Sequence, residues 1–476
     1  MLNYYDYLKK ILLTINYSKI ILRENDKTYT GGELFKKSSE LACFFASRGA
    51  KPGDRIAIQL PNSLEFILCF FAGIFGKFTL IPINASLPKR DIDYILEVTQ
   101  PKLVIKNFSD LQFIKPDQQP EVQRDKNTII AIVFTSGTTN RPKGVCHVAE
   151  RMFGNALAFN ELVGLDENTC MLHVMPMGYQ AGFLNTLLCP ILAKGSVVLA
   201  PQFSSAEAIN FWKVAIEYNI NAMWLSPTMA SLLARINRSE IISEWTRKNL
   251  HHIFIGTAPL PLPIKENFEN VFGVECFESY GMTELMLVSS NTRNFPRKKT
   301  SVGRLLSTVT VQVRDDKNNL LSYGQRGNIY INTSFAFEGY LDAATGSILT
   351  KEDEWVDTGD NGYLDENNNL FITGRTKDLI IHGGTNISPR AIEEVLLQHP
   401  EIMDAVVIGK PHPFWGEEII AFLMIKENTN LTSAMLTQYC QDKLQSDAIP
   451  SQFEIVQEFP RASTGKVQTN KLRELL

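Results

Sequence analysis

An apolar, β-branched run, Ile129-Ile130-Ala131-Ile132-Val133-Phe134, leads directly into Thr135-Ser136-Gly137-Thr138-Thr139-Asn140-Arg141-Pro142-Lys143-Gly144. The first part has the length and composition of a buried strand. Any fold must therefore carry that strand's end into a loop of small hydroxyl residues and glycines. Ser, Thr and Gly let the backbone close round an anion, with N–H groups and hydroxyls turned towards phosphate oxygens, and Lys143 adds a point charge. The Walker A pattern does not fit, because Lys143 precedes Gly144 and no Ser or Thr follows. Ordinary turns share this composition. The loop alone leaves a phosphate cradle and a plain turn both open.

Strands and helices alternate on either side of it. Residues 19–30 read as a hairpin turning at Asn25-Asp26, and Thr30 starts an amphipathic helix carrying Leu34, Leu41, Phe44 and Phe45. Gly49 closes that helix. The strand Arg55 to Leu60, a helix ending at Gly76 and the strand Leu80 to Ile83 follow. A second round fills roughly 150–300, with strands at 196–199, 222–225 and 252–255. From 301 the texture changes to short strands and Asp-, Asn- and Gly-rich turns. The reading is an α/β fold. A large N-terminal domain, 1–376, holds two αβ-layered subdomains (about 1–165 and 166–300) and a small β-barrel or meander at 301–376. A small α+β C-terminal domain, 377–476, follows, with the junction in the glycine-led basic run 374–378.

The chain's 476 residues suffice for roughly three domain-sized units. Its net charge of −4 gives no electrostatic case for nucleic acid. Seven cysteines without a CxxC pair or a His at ligand spacing fit reduced thiols in the cytoplasm, not a disulfide framework or a zinc site. The N-terminus lacks the uninterrupted apolar centre of a signal peptide. The most apolar window, Phe66 to Gly76, falls well short of the about twenty residues that a membrane span needs. It reads as a buried helix in a soluble, cytoplasmic protein.

Six stretches, in order across nearly the whole chain, carry a resemblance: TSGTTNRPKG (135–144), GTAPLP (256–261), ESYGMTE (278–284), TGD (358–360), GRTKDLIIHGG (374–384) and PRASTGKV (460–467). Together they resemble the superfamily of adenylate-forming, AMP-binding enzymes, which includes acyl-CoA synthetases, luciferases and peptide-synthetase adenylation domains. The resemblance implies that a carboxylic acid reacts with ATP and Mg²⁺ to give an acyl-adenylate, which a thiol of CoA or of a phosphopantetheinyl carrier protein then attacks. It places Thr135, Ser136, Gly137, Thr138, Thr139 and Lys143 on the β- and γ-phosphates. Asn140 stands where glycine is usual, and Asn tolerates left-handed backbone better than most residues. Thr257, Ala258 and Pro259 would border adenine, with Tyr280 against its other face and Glu278, Ser279 and Gly281 beside it. Thr283 would meet the α-phosphate, Glu284 the Mg²⁺, Asp360 the ribose hydroxyls, and Arg375 the ribose and phosphate. Lys466 would bridge carboxylate and α-phosphate, so that Lys466, Thr283 and Glu284 form the catalytic set. Without the resemblance, Tyr280 is a half-buried tyrosine, Asp360 a turn residue, Arg375 a surface ion-pair partner and Lys466 a solvated lysine.

Lys377 matches the position about which the C-terminal domain swings between half-reactions, and Gly383-Gly384 the loop lining the thiol channel. Trp415 reads as core packing rather than channel wall. The acid pocket falls to Tyr179 (where His is frequent), Gly256, Gly281 and Met282, with His173 as a core histidine. Met175, Met177, Met223, Met229 and Met286 recur nearby, as an adaptable apolar wall or as core. No Asp occurs between 171 and 200, which disfavours an α-amino acid. The leading expectation is an acyl- or aryl-CoA synthetase acting on a small carboxylic acid. A stand-alone enzyme that loads an acyl or β-amino acyl group onto a carrier protein is the alternative, and an inactive nucleotide-binding module the remote one.

Overall fold

The computed structural model describes residues 4–15, 17–115, 128–135, 141–383, 385–426, 429–461 and 467–476. Local sequence sets its first elements as expected. The strands Ile20–Glu24 and Lys27–Thr30 pair across a turn in which Asn25 takes φ 51°. Thr30 then caps the helix Gly31–Ser47 by a reciprocal box: Glu33 N–H donates to Thr30 Oγ1 at 3.2 Å, and Thr30 N–H to Glu33 Oε2 at 2.8 Å. Such a cap is worth about 1 kcal/mol. The helix Leu64–Gly76 buries side chains on every face, including Phe66, Phe70, Phe71 and Phe75. Each such side chain contributes roughly 1.5–3 kcal/mol by leaving water. No helix among the described residues is long and apolar enough to cross a membrane.

Two sheets share the bulk of the chain. In the first, Leu103–Ile105, Arg55–Ile58, Thr79–Pro82 and Ile129–Thr135 run parallel, and Lys143–Val148, Gly339–Leu341 and Ile348–Thr350 continue it antiparallel. In the second, Ile20–Glu24, Ser196–Leu199, Cys170–His173, Ala222–Leu225, His252–Ile255 and Phe277–Met282 are successive parallel neighbours. Most strands of the β-rich stretch extend this second sheet as an antiparallel run ending at Val309–Arg314. Two features correct the contiguous division at about 165 and 300. The N-terminal hairpin joins the second sheet, and Gly339–Leu341 with Ile348–Thr350 joins the first. Hydrogen-bond pairing, not chain order, decides sheet membership, and sequence periodicity carries no information on it.

The last hundred residues form a separate five-stranded sheet round the long hairpin Ile402–His412 and Gly416–Ile425, with helices Pro389–Leu396 and Ser433–Gln441 against it. All seven cysteines are free.

Candidate active site

The parallel strands of the second sheet all point their carboxyl ends one way, and the expected site segments hang from those ends. Cys170–His173 leads to Tyr179, His252–Ile255 to Gly256-Thr257, and Phe277–Met282 to Thr283-Glu284. Ligands in open α/β sheets bind at such ends.

Asp360 is 5% exposed and accepts two hydrogen bonds on its carboxylate: Tyr280 Oη donates to Oδ2 at 2.5 Å, and Arg375 Nε to Oδ1 at 3.1 Å. The register explains the second contact, because Asp360 and Arg375 are directly paired in the strands Val356–Leu364 and Asn369–Arg375. Burial, then the Asp360 charge, pushes the Tyr280 phenol well above its usual pKa, so it stays a donor.

Glu284 stands in the tight turn between Phe277–Met282 and Met286–Ser290, and its carboxylate accepts from Tyr340 Oη at 2.9 Å. Tyr340 arrives from a strand paired with Lys143–Val148, Tyr340 opposite Val145, and the Lys143 ammonium sits 5.6 Å from its ring centroid. Tyr340 therefore links the Glu284 carboxylate to the Lys143 ammonium. Arg151 fixes the approach to Tyr340 by an ion pair to Glu338 (2.6 Å) and hydrogen bonds to the carbonyls of Ala336 and Phe337. The Phe337 N–H in turn donates to the Glu284 carbonyl at 2.8 Å.

Gln180, next to Tyr179, donates to the Thr283 carbonyl at 3.3 Å and lies 3.4 Å from His147 Nε2. His147 is buried and its pKa is pulled down to about 3, chiefly by burial and then by Arg151, so the ring is neutral. His173 is a core histidine as expected, with Thr186 Oγ1 2.7 Å from its Nδ1. Neither Tyr340, Gln180 nor His147 is marked in the sequence, since each meets its partner across a long loop of chain.

Glu278 is 3% exposed, with the Leu260 N–H on its carboxyl and Arg390, Lys265 and Glu394 near it. It holds the 256–261 loop in place. Burial pushes its pKa up to about 7, with Arg390 and Lys265 pulling it down. In an unfolded chain the group titrates near 4.3. Between those values the folded state keeps a proton that the unfolded state releases, so stability falls as pH rises through the window. Glu278→Gln removes this effect. Its melting temperature relative to the parent should rise from pH 5 to pH 7.5, by the equivalent of at most about 3 kcal/mol. A flat difference over that range would show that the carboxyl is not held protonated.

Near the domain junction, Thr376–Asp378, which includes Lys377, is a short 3₁₀ turn. The C-terminal helix grips the strand before it: Ser388 Oγ donates to the Thr373 carbonyl at 2.9 Å and Arg390 Nη1 to the Ile372 carbonyl at 2.9 Å. Gly383 takes φ 58°, and a Cβ there would reach the Trp415 ring at 3.4 Å. Trp415 itself corrects an expectation. It is 45% exposed and stacked on His382 with centroids 5.1 Å apart, so it is not core. A hairpin tip keeps it at the surface. Ser136, Gly137, Thr138, Thr139, Gly384 and Lys466 lie outside the described residues. Arg461, just before the Lys466 segment, donates to Thr228 Oγ1 at 3.1 Å and to Asp404 Oδ2 at 2.5 Å. That bond ties the base of the segment to the helix Pro227–Ile236, which follows the strand Ala222–Leu225.

Comparison with known proteins gives the family and the fold. Residues 15–341 match the family model described as AMP-binding enzyme, and residues 391–466 that described as AMP-binding enzyme C-terminal domain. The chain is 28% identical to oxalate–CoA ligase of Arabidopsis thaliana over 88% of each chain. It is 26% identical to 2-succinylbenzoate–CoA ligase of Bacillus subtilis over 96% of this chain and 95% of that one. The solved structure of ATP-bound MatB from Rhodopseudomonas palustris superposes with a TM-score of 0.90 at 24% identity, over 99% and 98% of the two chains, and shares the fold. O-succinylbenzoate CoA synthetase from Bacillus subtilis, in complex with its acyl-adenylate, gives 0.84 at 26% identity over 98% and 97%. The chain is a member of the AMP-binding enzyme family and carries that family's C-terminal domain.

Proposed function

We propose that this protein is an acid–thiol ligase that uses ATP to convert a small carboxylic acid into an acyl-adenylate and then passes the acyl group to CoA. The observation that carries the reading is the convergence of Thr283-Glu284, Tyr340 and Lys143 from three separate strands. A carboxylate approaching an α-phosphate brings two anions together, so catalysis consists of positioning and charge neutralisation. Lys143 and the 135–139 loop would hold the β- and γ-phosphates, Thr283 the α-phosphate, and Asp360 with Arg375 the ribose. Glu284 is a single carboxylate with an oxygen left over from Tyr340, a donor set that suits Mg²⁺, whose other ligands are waters and substrate phosphates. When bound, Mg²⁺ neutralises phosphate charge. Lys466 would meet the charge that develops between the reacting groups. Lys377 is proposed as the hinge, with Gly383 and Gly384 on the thiol channel and Trp415 at its rim.

CoA as the acceptor is supported by the relatives, which are named CoA ligases. Acid-dependent ATP–pyrophosphate exchange over fatty, aryl, keto and amino acids tests the first step. Transfer to free CoA against transfer to a phosphopantetheinylated carrier tests the second. Exchange with no acid, by protein that still binds ATP, would leave only a nucleotide-binding module.

Tyr340 is assigned as a positioning residue for Glu284. Tyr340→Phe should raise the Mg²⁺ concentration for half-maximal exchange about tenfold, since a hydrogen bond to a charged group is worth about 1.5–3 kcal/mol. Mn²⁺ titration followed by electron paramagnetic resonance, with ATP present, should show the same weakening. An unchanged Mn²⁺ affinity would remove Tyr340 from this role.

A further inference from the structure

Two buried polar side-chain atoms stand at one glycine, and a third belongs to the residue after it, all without a hydrogen-bond partner among the described residues. Trp224 Nε1, Thr257 Oγ1 and Ser279 Oγ are buried and have no hydrogen-bond partner among the described residues. A Cβ on Gly256 would stand 2.7 Å from Ser279 Oγ and 3.4 Å from Trp224 Nε1, and Thr257 is the next residue in the chain. Buried donors are rarely left unmade, and a group of them needs a reason. Thr257 adds a second sign of function. Its φ is +70°, a conformation that a β-branched residue adopts only when its surroundings enforce it.

The place is right for a ligand. Trp224, Gly256 and Ser279 lie on three neighbouring parallel strands or just beyond them, towards the carboxyl ends. The Trp224 ring packs against Phe159 (centroids 5.5 Å apart) and Phe254 (5.0 Å), two rings that also touch each other at 5.3 Å, and this cluster fixes the direction of its N–H. Side-chain alternation along Phe277–Met282 puts Glu278 and Tyr280 on the face opposite Ser279. Their carboxyl and phenol are engaged by Leu260, the buried charges beside it and Asp360. The unpartnered polar atoms at Gly256 and the residue after it are, among the described residues, an indole N–H and two hydroxyls, none charged.

We propose that the acid this enzyme activates bears a neutral oxygen (a ketone, ether, amide or hydroxyl) that accepts the Trp224 N–H and is met by the Ser279 hydroxyl. The inference rests on the acid–thiol ligase reading above and narrows its substrate. An N–H and an O–H answer an acceptor. A purely hydrocarbon acid leaves them unpaired, and a second carboxylate placed among uncharged groups is desolvated without a counter-charge.

The test uses matched trios of acids on aliphatic and phenyl frames, differing only in carrying a keto or ether oxygen, a methylene or a second carboxylate. In ATP–pyrophosphate exchange, the oxygen-bearing member of the best trio should exceed the methylene member in kcat/KM by about 100-fold, because the site's polar groups discriminate against an analogue that cannot pair them. The dicarboxylate should be poorer still. Trp224→Phe keeps the ring and deletes the N–H, and should collapse the oxygen-to-methylene ratio to below about 5. Ser279→Ala should lower the same ratio and serves if Trp224→Phe does not fold. A readout independent of turnover is the ¹⁵N-labelled indole spectrum of the full chain, with its five tryptophans. The Trp224 N–H signal, assigned by its loss in Trp224→Phe, should shift when the oxygen-bearing acid is added without ATP. Preference for methylene or dicarboxylate members in every trio would overturn the inference and leave the adenylation reading standing. So would an indole signal indifferent to acid with ratios unchanged in both variants, which means a structural water. Absence of exchange with every acid would overturn both.

Discussion

Lys466→Ala is expected to slow acyl-adenylate formation by about 10²- to 10³-fold, while transfer from preformed acyl-adenylate to the thiol changes by less than about fivefold. The asymmetry follows from the charges. Only the first half-reaction brings a carboxylate up to an α-phosphate, and only there does a mobile ammonium stabilise a transition state more than the bound reactants. The second half-reaction needs an open path for the thiol instead, which a swing about Lys377 would provide. The single-turnover rates of the two steps, measured separately, check this. Equal loss in both would mean that Lys466 holds the domain's shape rather than the reacting groups. Arg461, five residues before Lys466, is hydrogen-bonded to Thr228 on the helix that follows Ala222–Leu225.

Asp360→Ala is expected to weaken ATP binding by at least about 100-fold and to lower the melting temperature as well. Asp360 is buried and its two oxygens organise Tyr280 and Arg375. Its loss leaves the Tyr280 hydroxyl without its acceptor and lets the Arg375 guanidinium, half exposed at 44%, drift into solvent. The adenine and ribose contacts assigned to these residues would fall together. Asp360→Asn can still accept one of the two bonds and should sit between parent and alanine variant in both respects. Calorimetric titration with ATP and thermal melts of the three proteins check the order. ATP affinity within about threefold of the parent in Asp360→Ala would take Asp360 out of the nucleotide site and leave it an architectural carboxylate.

Parts of this were open to reading without coordinates. The Thr30–Glu33 cap, the Asn25 turn and the apolar helix Leu64–Gly76 depend on residues within a few positions of each other, so their physics is written locally. The six motifs also lie each within one short stretch. What pairing brings together across the chain was not readable: Tyr340 with Glu284, Asp360 with Tyr280, Gln180 with Thr283, Trp224 with Ser279. Each pair is separated by about fifty residues or more, and one strand's neighbour is chosen by competing sheets. Trp415 shows the converse error. A tryptophan near β-branched strands has the composition of core, yet a hairpin tip holds it at the surface.

By itself, then, the sequence determined the elements and the alternation that makes an α/β protein, because these are set by neighbouring side chains and short-range backbone preferences. Only the tertiary structure decided which hairpin joins which sheet, which hydroxyl meets the Glu284 carboxylate, and which buried donors stand unpaired beside Gly256. Those outcomes depend on hydrogen-bond pairing and exclusion of water between segments far apart in the chain, and no local pattern of residues encodes them.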